Sequence, residues 1–207
     1  MKKLAFSDLH AFDSKYSNLI LAGVDEAGRG PWAGPVVAAA VILDKNKILT
    51  LTQINDSKII PEDKREKLYD IVIAASLAYV IIEKSNEEID SSDILKATLV
   101  AMKQAVEQLG IRPDIAIIDG NKVPVLEKCK AEFVIDGDAR SLSIAAASIL
   151  AKVHRDRVMR EFDTQYPQYG FKRHKGYGTA EHMKALEIHG ICAIHRKSYK
   201  PVKKHIK

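Results

Sequence analysis

The sequence predicts an α/β fold, because segments typical of strands and segments typical of helices alternate along most of the chain. The strand-like segments are short apolar runs bounded by glycine or charge, and the helix-like segments carry apolar residues at helical spacing. The 207 residues suffice for one main domain. With 46% apolar and 29% charged residues, the composition excludes collagen-like, low-complexity and disordered proteins.

The first part of the chain begins with two predicted strands, 19–24 and 36–43, separated by a glycine-rich turn. A helix is predicted over 61–75, because proline is favoured in a first turn, acids follow it, and apolar residues then recur at helical spacing. The apolar run 77–82 predicts a third strand. We expect these strands to form the start of a sheet.

The second part starts with the most strongly predicted helix, 91–110, in which a Ser-Ser-Asp sequence caps the start and glycine marks the end. Two compact strands follow, 114–119 and 131–135, and both deliver carboxylates at their C-terminal ends. Further helices are predicted over 141–160, which contains a run of small residues, and over 179–189.

The chain shows no internal repeat and no low-complexity linker. A boundary is expected in the loop 165–178, which is rich in proline, glycine and tyrosine. We therefore expect an N-terminal extension over 1–18, a main α/β domain over 19–164 and a basic, helical C-terminal region over 165–207.

Charge is unevenly distributed along the chain. The formal net charge is +5, but 18 basic and 22 acidic residues precede a cut after Ala151, whereas 14 and 5 follow it. The two parts therefore carry −4 and +9. Cations alternate with aromatic rings in the segment 171–177, a mixture typical of nucleic-acid surfaces. A solubilising basic tail is the alternative interpretation.

Cysteine usage and hydropathy indicate the compartment. Cys129 and Cys192 stand 63 positions apart without a CxxC motif, so neither a disulfide framework nor a thiolate zinc site is predicted. No uncharged apolar run approaches the roughly 20 residues of a membrane helix, and Asp8, His10 and Asp13 interrupt the place of a signal peptide. We expect a soluble, cytoplasmic protein.

Two adjacent acids, Asp25 and Glu26, follow the first predicted strand within the sequence GVDEAGRG. Neighbouring side chains of a regular strand point to opposite faces, so these two share one site only if the strand ends or bends there. The following Gly28 and Gly30 permit such a bend and expose backbone N–H groups to a ligand, and Arg29 adds positive charge.

Two further acids end later strands: Asp119 precedes a glycine, and Asp138 follows Asp136-Gly137. A cluster of carboxylates suits Mg²⁺ or Mn²⁺, and two such ions about 3.5–4 Å apart stabilise both oxygens that exchange in phosphodiester cleavage. The set therefore favours a metal-assisted nuclease. The alternative is that acids followed by glycine are simply turn formers.

Other site chemistries have weaker support. The glycines after Asp25 and Glu26 depart from the GxGxxG spacing, and no GxxxxGK[ST], GxSxG or HExxH motif occurs. A non-catalytic nucleic-acid binding module would explain the basic C-terminal region but not the four strand-end acids. A phosphohydrolase acting on free nucleotides would use the same acids but would not need a long basic groove.

Several motifs together resemble bacterial ribonuclease HII, the type 2 ribonuclease H. They are GVDEAGRGPWAGPVVAAAVIL at 23–43, NDSK at 55–58, IDGN at 118–121, GDARSLSIAAASILAKVHRD at 137–156 and YPQYGFKRHKGYGT at 166–179. The resemblance spans about 19–202. It implies a ribonuclease H-like fold, in which a mixed five-stranded sheet is flanked by helices and followed by a small C-terminal helical region that contributes to substrate binding.

The resemblance also implies the chemistry. The family's catalytic and metal-binding acids fall on Asp25, Glu26, Asp119 and Asp138, which would hold two Mn²⁺ or Mg²⁺ ions. Family members cleave the RNA strand of RNA/DNA hybrids and cut at single ribonucleotides in duplex DNA, leaving 3′-hydroxyl and 5′-phosphate ends. We therefore expect an endonuclease of ribonucleotide removal and DNA repair, acting on these duplexes as a monomer.

Substrate contacts are implied in the same way. Gly28, Arg29 and Gly30 match the element that senses the ribose 2′-hydroxyl, the group that separates RNA from DNA. Tyr177 matches the tyrosine that packs against the ribose-to-deoxyribose junction, and Lys58 matches a phosphate contact. A packing ring and a solvated lysine are the alternative interpretations for these last two residues.

One helix face is a further candidate for the substrate groove. Ser148, Lys152 and Arg155 are spaced by four and three residues in the predicted helix 141–160, so they share a face. A packing role explains Ser148 equally well. One departure from the family pattern is Asp136, where family members often carry lysine; it either raises metal affinity, weakens the approach of phosphate or is a solvated strand end.

Overall fold

A computed structural model describes residues 5–54 and 60–206 of the chain. Five strands form one sheet: β1 (Leu21–Ala27), β2 (Val36–Leu43), β3 (Ser76–Lys84), β4 (Ile115–Asp119) and β5 (Lys130–Val134). The helices are α1 (Phe6–Asp13), α2 (Glu62–Ala74), α3 (Asn86–Asp90), α4 (Ile94–Glu107), α5 (Leu142–Gln165), α6 (Phe171–His174), α7 (Ala180–His189) and α8 (Lys200–Lys203). The predicted mixed, five-stranded α/β fold is confirmed.

The strand order is β3-β2-β1-β4-β5. The first three strands pair antiparallel, whereas β4 runs parallel to β1 and β5 runs parallel to β4. Because β1, β4 and β5 run in the same direction, their C-terminal ends meet at one edge of the sheet. This topology gathers the acids that lie near the C-terminal ends of the three strands.

Helices cover both faces of the sheet. On one face α2 and α5 pack against residues that include Val37, Ala39 and Val41 of β2. On the other face α4 packs against the alternate residues Ala38 and Ala40. The all-apolar sequence of β2 follows from this double coverage, since a strand covered on both faces has no solvent side.

Helix α5 lies directly on β1. A Cβ atom added at Gly23 would stand 2.2 Å from the backbone carbon of Ser143, so only glycine permits this approach. The helix starts where Ser141 Oγ accepts a hydrogen bond from the backbone N–H of Ile144. Asp13 of the N-terminal segment also accepts hydrogen bonds from the hydroxyls of Ser141 and Ser143, which joins α1 to the start of α5.

The C-terminal region forms its own apolar cluster against the loop that connects β1 and β2. Phe171 and Leu186 pack there with Ala33 and Met159. Backbone bonds join the same parts, since the Gly34 N–H donates to the Ile194 carbonyl at 2.9 Å. None of the helices in the described part of the chain is both long and apolar enough to span a membrane.

Candidate active site

Asp25 and Asp119 lie on the two central parallel strands. The register pairs Val24 of β1 with Ile118 of β4, and the two acids follow directly after this pair. Val24 and Ile118 face α4. Because side chains alternate along a strand, Asp25 and Asp119 both face α5.

The Asp25 carboxylate is buried, with only 4% of the residue exposed. Its Oδ1 accepts a hydrogen bond from the backbone N–H of Glu26 at 2.7 Å, and the Ser148 hydroxyl of α5 donates another. Burial, followed by the negative charges of Glu26 and Asp119, raises the pKa of Asp25 well above its ordinary value. A cation placed here would relieve both effects.

Glu26 lies within β1, because the strand continues to Ala27 instead of ending after Val24 as predicted. The register pairs Glu26 with Ala38 of β2 and directs its side chain to the face opposite Asp25. Its Oε1 lies 3.3 Å from Nη1 of Arg29, within ion-pair distance. The bend that the sequence predicts therefore comes after both acids, at Gly28.

Asp138 is buried in a single helical turn, Gly137–Ala139, that follows β5. The backbone N–H of Gly137 donates to Oδ1 of Asp119 at 2.6 Å, so this turn lies directly against the end of β4. Asp136 starts the turn with a left-handed backbone, at a φ of 53°. The side chain of Asp136 is exposed, unlike that of the buried Asp138.

The donor set fits a divalent cation. All four side chains offer carboxylate oxygens, which Mg²⁺ and Mn²⁺ prefer, and burial together with the charges of Glu26 and Asp119 raises the pKa of Asp25. In residues 5–54 and 60–206, no three histidine, cysteine or acidic side chains stand close enough together to form a ready ion-binding group. Coordination by three of the acids would therefore require side-chain rotation.

Tyr177 stands beside the loop that carries Gly28, Arg29 and Gly30. A Cβ atom at Gly30 would lie 3.6 Å from the Tyr177 ring, and 45% of this tyrosine is exposed. The structure thus brings together two candidate substrate elements that are far apart in sequence. Gly28, at a φ of 95°, turns the chain sharply after β1.

The helix face predicted to line the groove divides into different environments. Ser148 reaches Asp25, as described above, whereas Lys152 Nζ lies 2.5 Å from Oδ1 of the buried Asp156. Arg155 is 1% exposed and donates to the carbonyls of Pro35, Lys175 and Ala33, at 2.9, 3.0 and 3.1 Å. The Arg155 guanidinium is bound to backbone carbonyls inside the fold, so the structure does not place this side chain on an open groove. Lys58 lies outside the described residues.

Comparison with known proteins identifies the family. The family model for ribonuclease HII matches residues 22–202. A ribonuclease HII of Albidiferax ferrireducens is 55% identical over 183 residues, which cover 88% of this chain and 87% of that relative. The chain belongs to the ribonuclease HII family. It is accordingly a type 2 ribonuclease H, a hydrolase, and the recognition made from the motifs is confirmed.

Solved structures agree on the fold of this ribonuclease HII. The ribonuclease H2 of Pyrococcus horikoshii OT3 has a TM-score of 0.74 at 26% identity, covering 89% of this chain and 95% of that one. Bst-RNase HIII, solved in complex with Mn²⁺, has a TM-score of 0.71 at 17% identity, covering 98% of this chain and 71% of that one. The ribonuclease H-like fold is therefore confirmed.

Sequence reasoning missed two residues of this ribonuclease HII that contact the Gly28–Gly30 loop. Arg196 is fully buried and donates to the Gly28 carbonyl at 2.6 Å and to the Arg29 carbonyl at 3.0 Å. The Tyr199 hydroxyl donates to the Arg29 carbonyl at 2.7 Å. In the sequence they are one cation and one ring of a basic region, so no local pattern marks them.

Three buried histidines lie behind Tyr177. The Tyr177 carbonyl can only accept, so His182 Nδ1, at 3.0 Å, carries the proton and its Nε2 is an acceptor. His195 Nε2 then donates to His182 Nε2 at 3.0 Å, while its Nδ1 accepts from the Cys192 N–H. His174 stacks on His182 with ring centroids 4.7 Å apart. The three rings pack against one another and against Phe171.

Burial lowers the pKa of His182 and of His195 to about 4. Both rings are therefore neutral at neutral pH. A proton added to Nε2 of His182 removes the acceptor of their mutual hydrogen bond, and a proton added to Nδ1 of His195 removes the acceptor of the Cys192 N–H. This pair ties α7 to the segment after it and lies next to Tyr177.

Proposed function

We propose that this ribonuclease HII cleaves the RNA strand of RNA/DNA hybrids and nicks duplex DNA at single embedded ribonucleotides. The reaction is hydrolysis with two divalent ions and leaves 3′-hydroxyl and 5′-phosphate ends. The family membership supports the class of enzyme. The observation that carries the proposal is the placement of two carboxylates, the buried Asp25 and the half-buried Asp119, on the face of the sheet covered by α5.

Asp25, Glu26, Asp119 and Asp138 are the residues proposed to hold the ions. Bound divalent ions lower the pKa of the attacking water and stabilise the departing 3′ oxygen. Ser148 and the Glu26 N–H hold the Asp25 carboxylate in one orientation, so less rotamer freedom is lost when it binds a cation. Because the pKa of Asp25 is raised, protons compete with cations at this carboxylate, and cleavage should weaken as the medium becomes acidic.

Substrate recognition is proposed for the loop containing Arg29 and for Tyr177. Glycine on both sides of Arg29 leaves space for a close backbone approach, and backbone groups can bond to the ribose 2′-hydroxyl that DNA lacks. The exposed Tyr177 ring next to this loop offers an apolar face for a deoxyribose or a base. Lys58 is proposed as a phosphate contact on the strength of the resemblance alone.

The surroundings of this activity complete the proposal. The basic region 165–207 clamps the duplex against the domain 19–164 by binding its phosphates. The protein acts as a monomer in the cytoplasm, where it removes ribonucleotides from DNA.

The direct test uses duplex DNA that contains one ribonucleotide, incubated with and without Mg²⁺ or Mn²⁺. We expect a nick at the ribonucleotide only when the metal is present. The cut should carry a 3′-hydroxyl and a 5′-phosphate. Binding of the duplex without cleavage would leave the non-catalytic module as the better account. Hydrolysis of free mononucleotides in preference to the duplex would favour the phosphohydrolase.

The acids are tested by Asp25→Asn and Asp119→Asn, with Asp114→Asn as a matched control. Asp114 immediately precedes β4, at the end opposite to Asp119, and its Oδ2 accepts from the Ile20 N–H at 2.7 Å. The first two variants should bind hybrid but lose at least about 100-fold in turnover, since each removes a proposed metal ligand. The control should keep its turnover. Unchanged turnover in Asp25→Asn would defeat the assignment.

Tyr177→Ala tests recognition. It should reduce cutting at a single embedded ribonucleotide at least as much as cutting of a uniform hybrid, because only the first substrate has a ribose-to-deoxyribose junction on a DNA strand. A larger loss on the uniform hybrid would count against the junction role.

A further inference from the structure

The segment between α7 and α8 contacts the loop that contains Gly28, Arg29 and Gly30. We propose that Arg196 and Tyr199 are positioning residues that orient the amides of Arg29 and Gly30 toward the substrate. This inference rests on the proposed role of that loop in sensing the ribose. It assigns a function in specificity to a segment that touches no reacting atom.

Arg196 is built into the loop as a multiple donor. Besides the carbonyls of Gly28 and Arg29, its guanidinium reaches the carbonyls of Gly34 and Pro35, at 3.0 and 3.1 Å. The rigid fork of an arginine can serve several acceptors at fixed angles, which a lysine cannot do. Both ends of the loop between β1 and β2 are therefore held by one side chain.

Tyr199 adds a second donor at the central carbonyl. Its hydroxyl donates to the Arg29 oxygen and accepts from Nη1 of Arg196 at 3.0 Å. The Arg29 carbonyl thus has partners for both of its lone pairs. The tyrosine is also packed against the arginine, with the guanidinium carbon 5.2 Å from the ring centre.

Holding a carbonyl also fixes the amide of the next residue. In a trans peptide the C=O and the following N–H point in opposite directions within one plane. The bonds to the Gly28 and Arg29 carbonyls therefore turn the N–H groups of Arg29 and Gly30 away from Arg196. Within the part of the chain that the structure describes, these two N–H groups have no backbone or side-chain acceptor, and the Tyr177 ring lies beside Gly30.

The arrangement has an electrostatic cost. Arg155 is buried on the other side of the same loop, and burial together with the charge of Arg196 lowers the pKa of Arg155 to about 10. Burial also lowers the pKa of Arg196. Both guanidinium groups donate to the Pro35 carbonyl. Their combined charge favours an electron-rich group in front of the outward amides.

The mild variant Tyr199→Phe tests this inference against Tyr169→Phe. The Tyr169 hydroxyl donates to the Gly190 carbonyl at 2.9 Å, so the control loses the same type of bond in the same region without touching the loop. On duplex DNA with one ribonucleotide, Tyr199→Phe should raise KM about fivefold and leave kcat within about twofold, as expected when the hydrogen bond that orients the Arg29 carbonyl is lost together with the one accepted from Arg196. Tyr169→Phe should match the wild type.

A second readout is independent of turnover. In EDTA, fluorescence anisotropy compares the affinity for a duplex containing one ribonucleotide with that for the all-DNA duplex. Tyr199→Phe should lower this preference about fivefold, and Arg196→Lys should lower it at least as much. Thermal unfolding is measured for both tyrosine variants. A loss of ribose preference in Tyr199→Phe that Tyr169→Phe does not show separates positioning from a general loss of stability.

The possible failures are distinct. If the wild type cuts neither the RNA/DNA hybrid nor the duplex that contains one ribonucleotide, the proposed function fails. If the wild type cuts but Tyr199→Phe keeps its KM and its preference for ribose, or loses only kcat, the positioning role is overturned and the proposed function stands. An equal change in Tyr169→Phe would also overturn it, because the effect would then be structural.

Discussion

Acidification is expected to destabilise this ribonuclease HII through the His182–His195 pair. Both rings are buried and neutral, and each uses one nitrogen as an acceptor. In the unfolded chain a histidine has a pKa near 6.5, whereas burial lowers the pKa of both rings to about 4. Between these values the unfolded state binds more protons than the folded state. Stability is therefore complete above about pH 6.5 and falls as the pH decreases toward about 4.

The size of the effect follows from the same two values. Between about pH 7.5 and about pH 5, a histidine with pKa values of 6.5 unfolded and about 4 folded lowers the free energy of unfolding by about 2 kcal/mol. The two rings share a hydrogen bond, so their protonation is coupled and their two contributions do not simply add. The pair together is worth about 2 to 4 kcal/mol.

Urea unfolding at both pH values measures this difference. The raised carboxyl pKa values of Asp13 and Asp25 act in the opposite direction, since the folded state then binds more protons. The comparison is therefore made against His195→Gln, in which these carboxylates are unchanged. The wild type should lose about 2 kcal/mol more than the variant on acidification. Equal losses in the two proteins would refute the assignment of neutral, buried rings.

Three further outcomes are expected. In thermal unfolding, Gly28→Ala should destabilise the fold by about 3 kcal/mol or more, because the new Cβ would stand 2.0 Å from Nε of Arg155. The control Gly120→Ala, with a similar φ of 100° but no atom within 4 Å of the new Cβ, should cost about 1 kcal/mol. Asp13→Ala should cost about 1 to 3 kcal/mol in urea unfolding, since it removes hydrogen bonds to two serines at the start of α5; an unchanged midpoint would contradict this. Asp136→Asn should leave the Mg²⁺ concentration at half-maximal cleavage within about twofold, because the side chain is exposed and asparagine tolerates the left-handed backbone; a larger shift would show that its charge acts on the metals.

The elements of the sheet could be predicted because local patterns specify them. Apolar runs gave the strands that deliver Asp119 and Asp138, helical spacing gave α4, and a run of small residues gave α5. The end of β1 could not be predicted in this way. Glu26 stays in the strand because it pairs with Ala38 of β2, and a partner strand leaves no mark in the sequence of β1 itself.

Side-chain environments were predicted less well than side-chain positions. Helical spacing predicts that Arg155 shares one face with Ser148, but it does not say what covers that face. In the structure the carbonyls of Pro35 and Lys175 meet the guanidinium there, so the side chain holds backbone. A count of charged residues does not show whether a given lysine or arginine lies in solvent or inside the fold.

The sequence by itself determined the order of the elements, the four candidate acids and the family, because each of these is written in residues that are adjacent or at a fixed short spacing. Only the tertiary structure decided that Asp25 and Asp119 face one helix and that Tyr177 stands beside Gly30. It also decided that Arg196 reaches the loop after β1. These contacts join residues far apart in the chain, and their geometry depends on how the parallel strands align and how the C-terminal region packs, which no local pattern encodes.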